Sequence, residues 1–93
     1  FVYILSNELM PNIYKVGFTE RSPDERANEI SSKSGLPKQF KVEKYWRSND
    51  PYIVEQRIHG ALSEFAQGKE FFKGDLNEIC EFIDYLVQSN NEI

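Results

Sequence analysis

Ninety-three residues, 40% of them hydrophobic and 14% aromatic, are enough for one domain with one modest core and too apolar for a disordered chain. No apolar run approaches the ~20 residues that span a bilayer, no signal-peptide pattern opens the chain, and one cysteine with one histidine excludes an internal disulfide and the four-ligand zinc sites built from those residues. The net charge of −4 divides unevenly, +2 over residues 1–47 and −6 over residues 48–93, so a basic binding face on the first half is compatible with an acidic total.

The chain opens with two apolar runs, Val2-Tyr3-Ile4-Leu5 and Ile13-Tyr14-Lys15-Val16, separated by a polar loop containing Asn7, Pro11 and Asn12. β-Branched and aromatic runs bounded by turn residues predict two antiparallel strands. Alternation places Val2, Ile4, Tyr14, Val16 and Phe18 on one face if the register is symmetric about the loop, and Phe1, Tyr3, Leu5, Ile13, Lys15 and Gly17 on the other. The second face sets a phenol beside an ammonium and a glycine. From the hairpin alone, a snorkelling Tyr3, a solvated Lys15 and a bend at Gly17 are the favoured account; a functional site is the alternative.

Ser22-Pro23-Asp24-Glu25 has the pattern of an N-cap, a first-turn proline and a capping box, and predicts a helix to about Lys33 that stops near Gly35. Its apolar face is thin, Ala27 and Ile30, so one side should lie open, and Arg26 sits one turn in. Alternation of Phe40, Val42 and Trp46 predicts a third strand from Gln39 to Arg47. Asp50-Pro51 opens a second helix whose buried stripe should be Val54, Ile58, Ala61, Leu62 and Phe65, ending at Gly68. Glu55 and His59 are four apart and stack on one flank beside that stripe. Lys69-Glu70-Phe71-Phe72 reads as a short extended segment. Asp75 to Glu78 repeats the cap, and a last helix over 75–89 should bury Ile79, Phe82, Ile83, Leu86 and Val87, with Ser89 to Ile93 fraying. The order β-β-α-β-α-(β)-α predicts an α+β fold: a single domain over 1–93, core 1–73, in which a three-stranded antiparallel sheet is flanked by helices.

With these residues in place the chain resembles the GIY-YIG endonuclease superfamily over roughly Val2 to Phe72. Phe1-Val2-Tyr3 stands at the first motif, with phenylalanine in place of glycine, and Lys15-Val16-Gly17 at the second, with lysine in place of tyrosine. The lysine is similar to a phage and bacterial branch that reads Tyr-Lys-Ile/Val-Gly. Arg26 in the first helix, Glu55-x-x-x-His59 in the second and Glu70-Phe71-Phe72 after it match that branch in order. The resemblance implies a metal-dependent endonuclease or nickase acting on DNA, most simply double-stranded.

It implies roles residue by residue. Tyr3 would activate or position water, Lys15 would supply positive charge to the phenol or the phosphate, and Arg26 would steady the transition state. Glu55 would hold one Mg2+ or Mn2+ ion, which commonly takes one or two carboxylates together with substrate phosphate. His59 either orients water and passes a proton or makes a structural hydrogen bond. Glu70 either orders His59 or Arg26 or anchors its segment. Tyr14, Phe71 and Phe72 are core or a stacking platform, and Gly17 allows a close approach of backbone or phosphate. Taken singly, Arg26 would be a surface partner of Glu25 or Glu29, and Glu55 a solvated carboxylate.

Two other readings stay open: a DNA-binding module of the same fold with weak or no catalysis, and an interaction domain using the acidic last helix. The setting expected is cytoplasmic, and the start at Phe1 without methionine fits a piece of a longer chain, with further domains among its partners.

Overall fold

A computed structural model describes residues 1–91. Strand β1 (Val2–Ser6) pairs with β2 (Ile13–Phe18) in the symmetric register that the apolar runs predict, Tyr3 opposite Gly17 and Leu5 opposite Lys15. Helix α1 (Pro23–Ser34) starts where Ser22 accepts a hydrogen bond from the Glu25 amide and ends at Gly35, whose φ of 75° lies in the left-handed region that glycine adopts without strain. Strand β3 (Lys41–Trp46) pairs with the other side of β1. Helix α2 (Pro51–Ala61) is capped by Asp50, strand β4 (Phe71–Lys73) pairs with β2, and helix α3 (Leu76–Asn91) closes the chain, with Asp75 accepting from the Glu78 amide.

The sheet therefore has four strands, in the order β3-β1-β2-β4 and all antiparallel, one more than the three expected. The extended segment around Phe71 completes an edge of β2 that would otherwise leave backbone groups unpaired. Helices cover both faces. Val2, Ile4, Val16 and Phe72 pack against Val54 and Ile58 of α2 and against Ile79, Ile83 and Val87 of α3; Tyr3, Leu5 and Phe40 pack beneath Ala27 of α1.

Three local expectations are corrected. Simple alternation would set Phe40, Val42 and Trp46 on one face. Instead the register with β1 slips between Ile4 and Leu5, so Phe40 and Val42 face α1 while Trp46 faces α3. One extra residue in a strand reverses the side chains beyond it. On the far face Asp84 of α3 accepts from the Trp46 indole and from the Lys44 ammonium, tying α3 to β3.

Helix α2 stops at Ala61 rather than Gly68. A 3-10 turn over Ser63–Phe65 follows, and Ala66 and Gln67 turn back onto β4. The tighter turn breaks the 3.6-residue stripe and leaves Phe65 exposed while Leu62 stays buried; Ala61, the last residue of α2, is also exposed. Helix α3 holds regular geometry through Asn91, beyond the expected end at 89; of the residues expected to fray, Glu92 and Ile93 lie outside those described.

The closest contact in the sheet is between Tyr3 and Gly17. A Cβ added at Gly17 would lie 2.5 Å from the phenol oxygen and 2.7 Å from the ring carbon that bears it. Tyr3 is 2% exposed, so its ring has nowhere to go. Gly17→Ala is expected to cost about 1–3 kcal/mol through overpacking, read as a lowered midpoint in urea with an unchanged slope.

Candidate active site

Strand β4 is short, and it sets the position of the site. It pairs only with Ile13, Tyr14 and Lys15, so β2 is unpaired on that side from Val16 onward. Val16 is completed by two groups from elsewhere in the chain. Its amide donates to the Glu70 carbonyl at 3.0 Å, and its carbonyl accepts from His59 Nε2 at 2.8 Å. Helix α2 thus wraps from the apolar face around the sheet edge, and its Glu55 comes within electrostatic reach of residues on the α1 face.

His59 settles into this edge with its ring 5.1 Å from that of Phe72. A carbonyl can only accept, so Nε2 carries a proton and Nδ1 is the nitrogen left to face Glu55 Oε1, 3.7 Å away. That separation is too long for a hydrogen bond and short enough for a strong charge interaction. Glu55 is 4% exposed; its Oε1 accepts from Gln56 Nε2 at 2.7 Å, and its other oxygen accepts no hydrogen bond among the described residues. Burial raises the carboxyl pKa first. The charge of His59 and the Gln56 hydrogen bond pull it back, Glu70 pushes it up again and Lys15 draws it down, with a net shift upward.

On the α1 face Tyr3 lies over Gly17, and the Arg26 guanidinium lies near enough to its phenol to act on it electrostatically. Burial holds the phenol above its ordinary pKa, the guanidinium opposes that, and the carboxylates of Glu70 and Glu55 add to it. Arg26 is in turn raised, chiefly by the neighbouring Tyr3 phenol, and stays partly exposed. Glu29 steadies it at 3.4 Å while also pairing with Arg21. The Lys15 ammonium pairs with the Glu70 carboxylate and lies 5.2 Å from the Phe71 ring centroid.

Tyr3, Lys15, Arg26, Glu55, His59 and Glu70 thus gather at one sheet edge, linked by contacts and by mutual fields. Tyr14 does not join them. Alternation turns it to the α2/α3 face, where it packs against the main core. Glu70 orders neither His59 nor Arg26, because its carboxylate is taken by Lys15. The room beside Gly17 is filled by the Tyr3 ring rather than left for backbone or phosphate. Positive charge next to the phenol comes from Arg26, whereas Lys15 is engaged elsewhere. Gln56 and Arg21 are additions to the expected set. Neither carries a sequence signal, since one merely follows Glu55 and the other lies in a loop.

Fold and cluster together define a small α+β domain with a phenol–guanidinium pair and a carboxylate–imidazole pair meeting at one sheet edge. The chain belongs to the T5orf172 domain family, whose model matches residues 1–87. That family is associated with homing and GIY-YIG-like endonucleases of phage, which points to a nuclease-related or DNA-interacting role. No curated protein and no solved structure matches the chain. No helix among the described residues is long and apolar enough to cross a membrane.

The buried carboxylate has a consequence for stability. Its pKa is higher in the folded chain than the ordinary 4.5, so the fold favours the protonated form. That advantage is complete below the ordinary value and is lost as pH rises through the folded value. Glu55→Gln keeps the size and the acceptor for Gln56 while removing the charge. It is expected to raise the melting temperature by several degrees at pH 7, a gain that shrinks as pH falls toward 4, measured by circular dichroism at both ends.

Proposed function

We propose that the chain is a metal-dependent endonuclease or nickase that hydrolyses DNA phosphodiester bonds, in the branch of the GIY-YIG superfamily with lysine in the second motif. The observation that carries this reading is the meeting of the Tyr3–Arg26 pair with Glu55 at the edge of β2, within a family associated with endonucleases. A phosphodiester resists water because the nucleophile approaches an anion and the leaving oxygen departs charged. The residues answer both difficulties.

Arg26 has a planar fork with donors to spare beyond Tyr3 and Glu29, and it binds the non-bridging phosphate oxygens. The Arg26 guanidinium lies beside the Tyr3 phenol and favours its charged form. Held protonated by burial and by two nearby carboxylates, the phenol orients the attacking water in the free protein and becomes a proton acceptor only as positive charge accumulates around it. Lys15 reaches the phosphate by exchanging its Glu70 partner for a substrate oxygen. His59 keeps Nε2 on the Val16 carbonyl, which fixes its ring with Nδ1 turned to the Glu55 carboxylate. Once the phenol has given its own proton to solvent it takes one from the attacking water, whose oxygen bonds to phosphorus as the bond to the leaving oxygen breaks, and the leaving oxygen takes a proton from solvent water.

Glu55 fits a divalent ion. It is a desolvated carboxylate with one oxygen engaged and the other open, which an adjacent cation would relieve. Among the described residues no three acidic, histidine or cysteine side chains form a ready-made cage, so Mg2+ or Mn2+ would rest on Glu55, water and substrate phosphate. Such an ion supplies charge stabilisation to the phosphoryl oxygens and the leaving group.

A DNA-binding module without useful catalysis is the second reading, favoured by the pairing of Lys15 with Glu70, which neutralises one of the site's cations. Supercoiled plasmid with Mg2+ or Mn2+ separates the two. Nicked circles are expected, to be lost on chelation, and Glu55→Ala or Arg26→Ala should each lower the rate about 100-fold or more with the far-ultraviolet spectrum retained. Salt-sensitive retardation in a gel without any nicking would instead establish the binding module.

A further inference from the structure

An open groove of about 490 Å3 runs along the α1 face directly beside the site and shares two walls with it, Lys15 and Arg26. We propose that this groove receives one unpaired nucleotide of the DNA strand next to the scissile phosphate, its base lying on the apolar floor. The inference rests on the nuclease reading and adds to it the form of DNA preferred: strands with a single-stranded stretch, such as a gap or flap, over perfect duplex.

The lining matches that occupant. Half-buried Phe71 forms the floor, backed by the buried Phe40 with ring centroids 6.2 Å apart, Met10 and Leu36 flank it, and Glu29 on the wall is already paired with Arg26. Leu36 is 37% exposed, an apolar wall facing solvent. Lys33 stands at the rim and makes no ion pair among the described residues. A similar recess of about 510 Å3 at the hairpin end lacks this feature, because its Lys38 and Lys41 are paired with Glu8 and Glu43.

Apolar floor and free rim cation together ask for a ligand with a flat hydrophobic face and an anionic link. A nucleotide has both. In a duplex each base has its faces covered by neighbours, so only an unpaired or extruded base can cover this floor. Continuity through Arg26 and Lys15 fixes which nucleotide it is: a phosphate held by those two cations places its immediate neighbour in the groove.

The test measures fluorescence anisotropy of the whole chain with one labelled oligonucleotide as single strand, as perfect duplex and as duplex with a short gap, with Ca2+ in place of Mg2+ so that a divalent ion is supplied and cutting is suppressed. Gapped and single-stranded forms are expected to bind about tenfold more tightly than perfect duplex, the scale of one base stacked on an aromatic side chain. Leu36→Asp, at an exposed position that leaves the fold intact, should abolish the preference; Leu36→Ser, which adds no charge, should reduce it. Lys33→Ala should weaken binding of all three forms by a similar factor. Equal affinity for gapped and perfect duplex, or a preference that survives Leu36→Asp, overturns the groove assignment and leaves the nuclease reading standing. Binding of none of the three forms overturns both.

Discussion

Everything at the site follows from β4 pairing with only half of β2. Beyond Lys15 the strand edge is open, and an open edge must be finished by something other than another strand. Glu70 accepts the Val16 amide and His59 donates to its carbonyl. Those two bonds bring the segment before β4 and the flank of α2 to one point. The backbone requirement therefore determines where Glu55 and Glu70 lie relative to Tyr3, Lys15 and Arg26. A longer β4 would satisfy Val16 by itself and displace the imidazole.

The second constraint is glycine at 17. Tyr3 is the largest of the almost fully buried side chains, and it fits because the residue opposite has no Cβ. Its oxygen is thereby held against the sheet and beside Arg26, in a setting that keeps the phenol protonated. Burial has the same effect on Glu55. Both groups are kept away from their charged forms by the fold, and both are drawn back by a cationic or polarising neighbour, Arg26 for one and His59 for the other. Among the described residues no fully buried side-chain nitrogen or oxygen lacks a partner. The site's one open acceptor, the second Glu55 oxygen, is thus not fully sealed from solvent.

The uneven charge of the chain takes on a spatial meaning here. Helix α1 sets Arg26 and Lys33 beside the groove together with Glu29, which pairs with Arg26 and with Arg21, so this face is mixed in charge rather than basic. The acidic α3 packs on the opposite face of the sheet, behind α2, with Asp84 turned to Trp46 and Lys44. Phosphate would therefore be met by individual cations, Lys15, Arg26 and Lys33, and not by a basic face.

Sequence alone determined the elements and most of their ends. Caps at Ser22, Asp50 and Asp75, the stop at Gly35 and the hairpin register are local features, dictated by short-range sterics and hydrogen bonding, and the motif order around Tyr3, Lys15, Arg26, Glu55 and His59 is legible in the same way. Tertiary structure decided what depends on residues distant in the chain. It placed Trp46 opposite Phe40 through a bulge against β1, ended α2 early through pairing of Ala66 with β4, gave Glu70 to Lys15, and sent Tyr14 to the core. Periodicity assumes that an element continues undisturbed; a slipped register or a returning segment breaks that assumption, and only packing between elements determines where this happens.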